Sequence, residues 1–454
     1  MSLPNRFRLG SARASIEEAA AGLLRLGVWG VADQALLSAT NFVTLVFVAR
    51  NVGPREFGSY SLALTLVLFV MSFQTALLNK PFVVISVARR GDSYREYVTS
   101  VLWAQLGFGA VVNLLVLPLA LLAYLLGYGE AAALLAVTGP VIAAWGLQEY
   151  LRQVLYVERR LKAARVNDAV SYGGQLIAVL AAAVAGVLTP VLAFGIIALT
   201  SFAATAVGLL QLRRSLSGRL DREALRRDGV ENWHFGRWMI GAAMLLGTVD
   251  LAYVWLVAGF VSVAAAGALR AITGVLGPTH VLLKTMDNTL TPMAARVSQR
   301  EGVTGVKRLL GKIFLISGPP MLGWLLFVSA FPGRLLGFLY GVEYAPYAWL
   351  LPAGALSYAL GYANKVVSIA LVVRRLPQAI FRGQLLQAAF FWSFGLGATY
   401  FFGLGGAAIT MVGSALVQSI ELWRWYLRDV RSAERTVVPE SAGLRTASEA
   451  GGSL

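Results

Sequence analysis

The 454-residue chain is 57% hydrophobic and only 14% charged, against roughly a quarter charged residues in a soluble domain. The shortage runs along the whole length, so the sequence excludes a soluble globular protein and predicts an all-α polytopic membrane protein. The net charge of +16 does not indicate nucleic acid, because no segment offers a water-facing basic surface.

Residues 1–27 hold Arg6, Arg8, Arg13 and Arg25 but no long apolar stretch and no cleavage site. The first crossing therefore reads as an uncleaved signal anchor. Within this segment, "SARASIEEAAAGLLRLG" places Ile16, Ala19, Ala20, Leu23 and Leu24 at helical spacing with Arg and Glu opposite. That pattern predicts a short interfacial helix. A crossing helix needs about 20 largely apolar residues. Twelve such windows follow, at 28–50, 58–79, 97–126, 131–151, 168–188, 191–212, 236–259, 262–285, 311–331, 346–373, 383–402 and 404–426. The eighth is interrupted by Gly277-Pro278, and the polar, Gly/Ser-rich segment 427–454 is predicted to be disordered.

Lys and Arg fall on alternate connections. Of the 39 in the chain, all but Arg50, Arg55, Arg270, Arg334 and Lys365 lie in the N-terminus, the even-numbered side of the hairpins, or the tail. The positive-inside rule then places both termini in the cytosol. The polar elbow Asn51–Phe57 becomes an outward hairpin tip, and Pro332–Tyr344 is the one outer loop of any length. Such short outer loops argue against a membrane polymerase or glycosyltransferase, which needs an outer platform for catalytic carboxylates.

The basic segment 213–235 divides the crossings six and six, giving an N-lobe at 28–212 and a C-lobe at 236–426. The halves are weakly alike. Gly58 and Gly267 each open the second helix of a hairpin, Lys80-Pro81 and Thr291-Pro292 follow its end, and Arg89 and Arg296 close it. Two parallel six-helix copies suit an arrangement that rocks around a central cavity.

The stretch Asp33–Ala63, "DQALLSATNFVTLVFVARNVGPREFGSYSLA", resembles the first hairpin of the polysaccharide transporters. These are the Wzx-type O-antigen and exopolysaccharide flippases of the MATE-like superfamily. The resemblance is carried by Asn41-Phe42, Ala49-Arg50, Gly53-Pro54 and Glu56-Phe57-Gly58-Ser59-Tyr60. It implies a MATE-like fold in the bacterial cytoplasmic membrane. It also implies alternating-access transfer of an undecaprenyl-pyrophosphate-linked oligosaccharide for surface polysaccharide or lipopolysaccharide synthesis. Membrane lipids are implied as surroundings, and the polysaccharide polymerase machinery as a candidate partner.

Ionisable residues inside membrane helices are costly and are functional candidates by default. Asp250, Lys365 and Arg270 form such a C-lobe set, with the two cations suited to a pyrophosphate. Snorkelling to the interface competes for Arg270, and a fixed Asp250–Lys365 ion pair competes for the other two. In the N-lobe, Asn41, Gln74, Asn79, Gln105 and Asn113 are amides that could line a sugar path or bind helices together. Asp33 and Asp250 are candidates for coupling to H+ or Na+. His280, near the helix-eight break, is a candidate protonation switch.

No cofactor and no catalysis are expected. The chain has no cysteine and two histidines, which gives neither thiolate chemistry nor a His-rich metal site, and no GxxxxGK[ST] loop for ATP hydrolysis. The alternative transport reading is a MATE-like exporter of small cations, which would want an acidic cavity. Reporter fusions at 53–57 and 332–344 should report an outside location and a fusion within 213–237 an inside one. A cytosolic signal at 53–57 would overturn this topology.

Overall fold

The structure, a computed structural model, describes residues 38–216, 222–374 and 376–437. The interfacial helix expected within 1–27, Asp33 and the tail beyond 437 lie outside the described residues.

Among these residues every regular element is helical. The N-terminal half comprises α1 (38–51), α2 (Pro54–Gln74, continuing through a π-turn Thr75–Asn79 into Lys80–Ile85), α3 (Asp92–Leu125) and α4 (Gly129–Val157). It is completed by α5 (Leu161–Asp168, with a π-turn Ala169–Gly173, then Gly174–Val184) and α6 (Pro190–Leu212). The C-terminal half opens with α7 (Arg222–Phe260) and α8 (Val263–Val275). The run Gly277–Ala330 breaks at Gly302, where φ is +62°, into α9 (277–301) and α10 (303–330). There follow α11 (Pro332–Tyr340), α12 (Leu350–Val373), α13 (Pro377–Phe390, with a π-turn Phe391–Gly395) and, beyond Gly403 at φ +57°, α14 (404–437). With α8 and α9 taken as one broken helix and α11 as a short surface helix, twelve helices correspond to the expected windows, the first of them described only from residue 38. Among the described residues, seven helical stretches are long and apolar enough to cross a membrane.

The interruptions follow from the residues. Pro81 has no N–H to offer the carbonyl four residues back, and the helix accommodates it with a π-turn in which the Lys80 N–H donates to the Thr75 carbonyl. Pro278 acts similarly at the α8–α9 break, where the Leu276 N–H bonds back to Ile272 and the Thr279 N–H to Leu276. Three boundaries differ from expectation. The segment 213–235 is helical from Arg222 and continuous with α7, the tail helix runs on to Val437, and 332–347 folds as α11 plus a 3-10 turn. In each case the segment lacks the apolar run used to place helices but packs against a neighbour that supports it.

Packing forms two lobes. In one, α4 packs between α3 and α6, with α2 and α5 alongside; in the other, α12 packs between α10 and α14, with α13 on α14. The lobes meet where α2 crosses α8, at the end of the molecule with the short turns. Here a Cβ on Gly58 would overlap the Val263 carbonyl, and one on Gly267 would stand 2.6 Å from the Pro54 carbonyl oxygen. Small residues permit this backbone approach, the usual basis of helix association in lipid. The two glycines that look equivalent in the sequence thus face one another.

Around this crossing lies an aromatic plug. Phe57 stacks near Tyr60 at 6.1 Å between centroids and meets Tyr344 edge-on at 6.0 Å, while Tyr60 meets Phe194 at 5.1 Å. Tyr344 arrives from the 3-10 turn after α11, and its hydroxyl lies 3.5 Å from the Ala49 carbonyl. The short-turn end is closed.

At the opposite, basic end, α7 is held to the first lobe. Arg89 pairs with Asp228 at 2.8 Å and with Glu231, and stacks 4.0 Å above the Tyr97 ring. The Tyr97 hydroxyl donates to Asn232 at 2.6 Å. Asp228 is 1% exposed, so removing Arg89 would leave a buried carboxylate with only the more exposed Arg227 beside it.

A side chain at position 58 cannot be accommodated while the two backbones touch. Gly58→Val should therefore raise the rate at which an impermeant maleimide labels a single cysteine placed at Thr273. An unchanged rate in right-side-out vesicles would show that the crossing is not the closure.

Candidate functional site

Arg270 lies eight residues beyond the Ser262 cap of α8, about 12 Å along the helix from the closed end. Four groups from four other elements surround it. Tyr60 of α2, Tyr340 at the end of α11 and Tyr358 of α12 are its electrostatic neighbours, and His280 in the first turn of α9 feels its charge. His280 Nε2 and the Tyr358 hydroxyl are 2.6 Å apart. The Tyr340 hydroxyl is seated against Gly274, one turn along from Arg270, where a Cβ would displace it.

Among the described residues no carboxylate pairs with Arg270. Its Nε, the Tyr340 hydroxyl and the hydroxyl of Thr279 beside His280 are buried without hydrogen-bond partners. A guanidinium presents five donors in a rigid fork. Left without a counter-anion and ringed by hydroxyls, it is suited to receive an anion that brings its own acceptors.

The helix break is part of this geometry. It ends α8 one turn beyond Arg270 and starts α9 at Gly277-Pro278, so Thr279 and His280 occupy the first turn of a new helix. Discontinuous helices at mid-membrane are tolerated where they line a cavity. The His280 side chain is exposed and the Tyr358 and Arg270 side chains half-buried, as expected for a wall that solvent reaches.

The N-lobe amides assemble elsewhere. Gln74 Nε2 donates to Gln105 Oε1, and Gln105 Nε2 donates to Asn79 Oδ1 at 2.7 Å. All three side chains are buried. Asn113 donates to the carbonyl of Gly109 on its own helix at 2.8 Å and packs on Gly139 of α4, so its amide serves the α3–α4 contact. Asn41 is exposed on α1. Lys365 is half-buried on α12 and already has a partner; it is not among the groups acting on Arg270. Asp250 belongs to α7, and its side chain lies outside the described residues, as does Asp33.

Sequence reasoning missed the tyrosines. Tyr60 stands inside the Glu56–Tyr60 motif, but a tyrosine in an apolar helix gives no signal that separates a polar site from packing. It also missed a buried N-lobe cluster in which Arg152 lies 3.2 Å from Glu149 and 3.4 Å from Asp168. The Glu149–Arg152 spacing of three residues was the available clue.

This two-lobed, all-helical arrangement, with a cation between the lobes, is a MATE-like fold. Residues 18–348 match the family described as polysaccharide biosynthesis protein, and the chain belongs to that family. No curated protein matches it. Among solved structures, an inward-facing multidrug resistance MATE transporter of the MOP superfamily overlays with a TM-score of 0.67 at 14% identity, covering 89% of this chain and 96% of that one. The lipid II flippase MurJ, in an inward closed conformation, gives 0.63 at 13% identity over 88% and 86%. A MOP superfamily transporter from Pyrococcus furiosus, described by a binding pocket of reverse polarity, gives 0.63 at 13% over 90% and 96%. These likenesses establish the fold.

Because the Tyr340 hydroxyl has no partner, Tyr340→Phe should not lower thermal stability and should raise it by about 1 kcal/mol. Thermal unfolding in detergent checks this. A marked loss would mean that the hydroxyl is engaged in the folded protein.

Proposed function

We propose that the protein is a flippase that carries an undecaprenyl-pyrophosphate-linked oligosaccharide across the bacterial cytoplasmic membrane by alternating access, and that it is a transporter rather than an enzyme. The observation that carries this reading is Arg270, a membrane-embedded guanidinium with no carboxylate beside it among the described residues. A charge within a membrane helix that has no partner is expensive. A pyrophosphate offsets that cost by supplying the missing anion and several acceptors, and the hydroxyls of Tyr60, Tyr340 and Tyr358 add donors around it.

The basic end is taken as cytosolic from the distribution of Lys and Arg, with both termini there. The closed crossing at Gly58 and Gly267 is then the outer gate, and the site under it is loaded from the cytosol. The lipid-linked sugar of O-antigen or exopolysaccharide synthesis is the substrate class that the family membership and the resemblance of the first hairpin favour. With no nucleotide-binding loop, transport draws on an H+ or Na+ gradient or on consumption of the product by polymerase machinery. Lys365, Asp250 and Asp33 are kept as candidates for charge compensation and ion coupling. The exporter reading fits less well, because a small cation would be repelled by Arg270.

The test is complementation of a flippase-deficient strain, with membrane abundance measured in parallel. Arg270→Gln should lower activity by at least tenfold at normal abundance, and Arg270→Lys should retain part of it, since the charge persists without the fork. Full complementation by Arg270→Gln would sink the proposal. Efflux of a cationic dye that Arg270→Gln enhances would favour the exporter.

A further inference from the structure

A groove of ≈ 330 Å³ lies between α2, α3 and α7, beside the place where α7 is held to the first lobe. Its polar residues are Ser100, Asp228 and Asn232, all buried. Arg89 already engages Asp228, and the Tyr97 hydroxyl engages Asn232. The rest of the lining is apolar. On α3 it extends from Ser100 to Val111, about 16 Å of helical rise, and on α7 from Leu225 to Trp233, about 12 Å. Gly107 of α3 and Gly229 of α7 belong to this lining, and a Cβ on either would have no atom within 4 Å. Neither position is closed by a neighbouring side chain.

The groove spans the level where hydrocarbon gives way to headgroups. Leu77 and Leu78 stand at the basic end of the α2 crossing, and Ser100 stands at the basic end of the α3 crossing. Trp103 and Trp233 are exposed there, as tryptophans are at a membrane boundary. Beyond that level α7 turns cationic on the groove side. Arg222 and Arg226, seven and three residues before Gly229, share its face of the helix. Both are exposed, and among the described residues neither has an ion-pair partner. The adjacent Arg227 differs, being tied to Glu96 and Asp228, and Glu223 is engaged by another group.

From this arrangement we infer that the groove binds one anionic phospholipid of the cytosolic leaflet. An acyl chain lies along Gly107 and Gly229, and the phosphate meets Arg222 and Arg226. The apolar lining excludes a sugar or a free phosphate, whose polar groups would be left without partners. A zwitterionic lipid carries its own ammonium beside the phosphate and gains less from two arginines. A lipid whose pyrophosphate sits at Arg270 cannot present that same group to Arg222 and Arg226 at the other end of the molecule. The inference goes beyond the flippase reading and does not depend on which molecule is carried. A lipid seated here braces α7 against α2 and α3 beside the Arg89–Asp228 pair.

The experiment titrates the full chain, purified in detergent, with phosphatidylglycerol and with phosphatidylcholine of the same acyl chains, counting bound lipid by native mass spectrometry. Phosphatidylglycerol should bind at a single site about tenfold more tightly than phosphatidylcholine. Gly229→Leu, and separately Gly107→Leu, should weaken both lipids by about tenfold, because the new side chain lies in the path of the acyl chain. The double variant Arg222→Gln, Arg226→Gln should bring phosphatidylglycerol down to the phosphatidylcholine value and leave the latter unchanged. Thermal unfolding without added lipid identifies any variant that is merely destabilised; should a glycine variant be so, the arginine pair decides. Unchanged phosphatidylglycerol binding in a glycine variant that melts like the wild type overturns the site, and so does a preference that survives the double arginine variant. Displacement of phosphatidylglycerol by an equal concentration of undecaprenyl phosphate overturns it too, assigning the groove to a polyprenyl tail. If phosphatidylglycerol binds as expected but no lipid-linked saccharide moves in proteoliposomes, the flippase reading fails and the phospholipid site stands.

Discussion

The arrangement depends on two backbones that touch. Where α2 crosses α8, Gly58 and Gly267 leave no room for a side chain on either helix, and the contact has to be made by main-chain atoms. In lipid, apolar side chains gain little by leaving one hydrocarbon environment for another, so close packing sets how helices associate. The crossing fixes the distance between the lobes at one end, and the aromatic plug of Phe57, Tyr60, Tyr344 and Phe194 fills the space around it. Two of the elements that meet at Arg270, α8 itself and α2 with Tyr60, are the ones this contact aligns. Tyr60 lies half a turn beyond Gly58 on α2, and Arg270 lies nearly one turn beyond Gly267 on α8. The closure and the site are therefore parts of one interface.

Much of this fold could be read from the chain because membrane helices are written in composition. Twelve apolar windows, short turns on one side and basic turns on the other needed no tertiary information. The glycine pair was visible as an internal repeat, though not as a contact. Helix ends were less legible. Residues 222–235 carry the charge of a loop, yet they continue α7 because Arg89, Tyr97 and the backbone near Leu77 hold them. Likewise 332–340 is too short to register as a helix, but it docks on the aromatic plug.

The site was half legible for a related reason. Arg270 stood out because charge is rare in such a setting, and Gln74, Asn79 and Gln105 stood out as amides. What joins them to one another depends on which helix faces point together. That is set by packing, and a uniformly apolar helix shows no face in its sequence. The tyrosines were hidden for the same reason, since they serve equally well as packing groups, and Tyr60 does both.

The helix α7 has a mechanical consequence. Near its start it is fastened to the first lobe by Arg89 and by the close approach of Gly236 to the carbonyl of Ala76. Near its end it is fastened to the second lobe, where Tyr253 lies 4.5 Å from Phe391. A rod of 39 residues, about 58 Å long, anchored to both bodies cannot stay straight while they tilt apart. It must bend, twist or release one anchor. The helix is thus a spring in parallel with the α2–α8 crossing, and its stiffness enters the energy of any tilt between the lobes as directly as that contact does. A two-lobed protein built this way can have the balance between its arrangements retuned from a helix segment outside the crossing and away from Arg270.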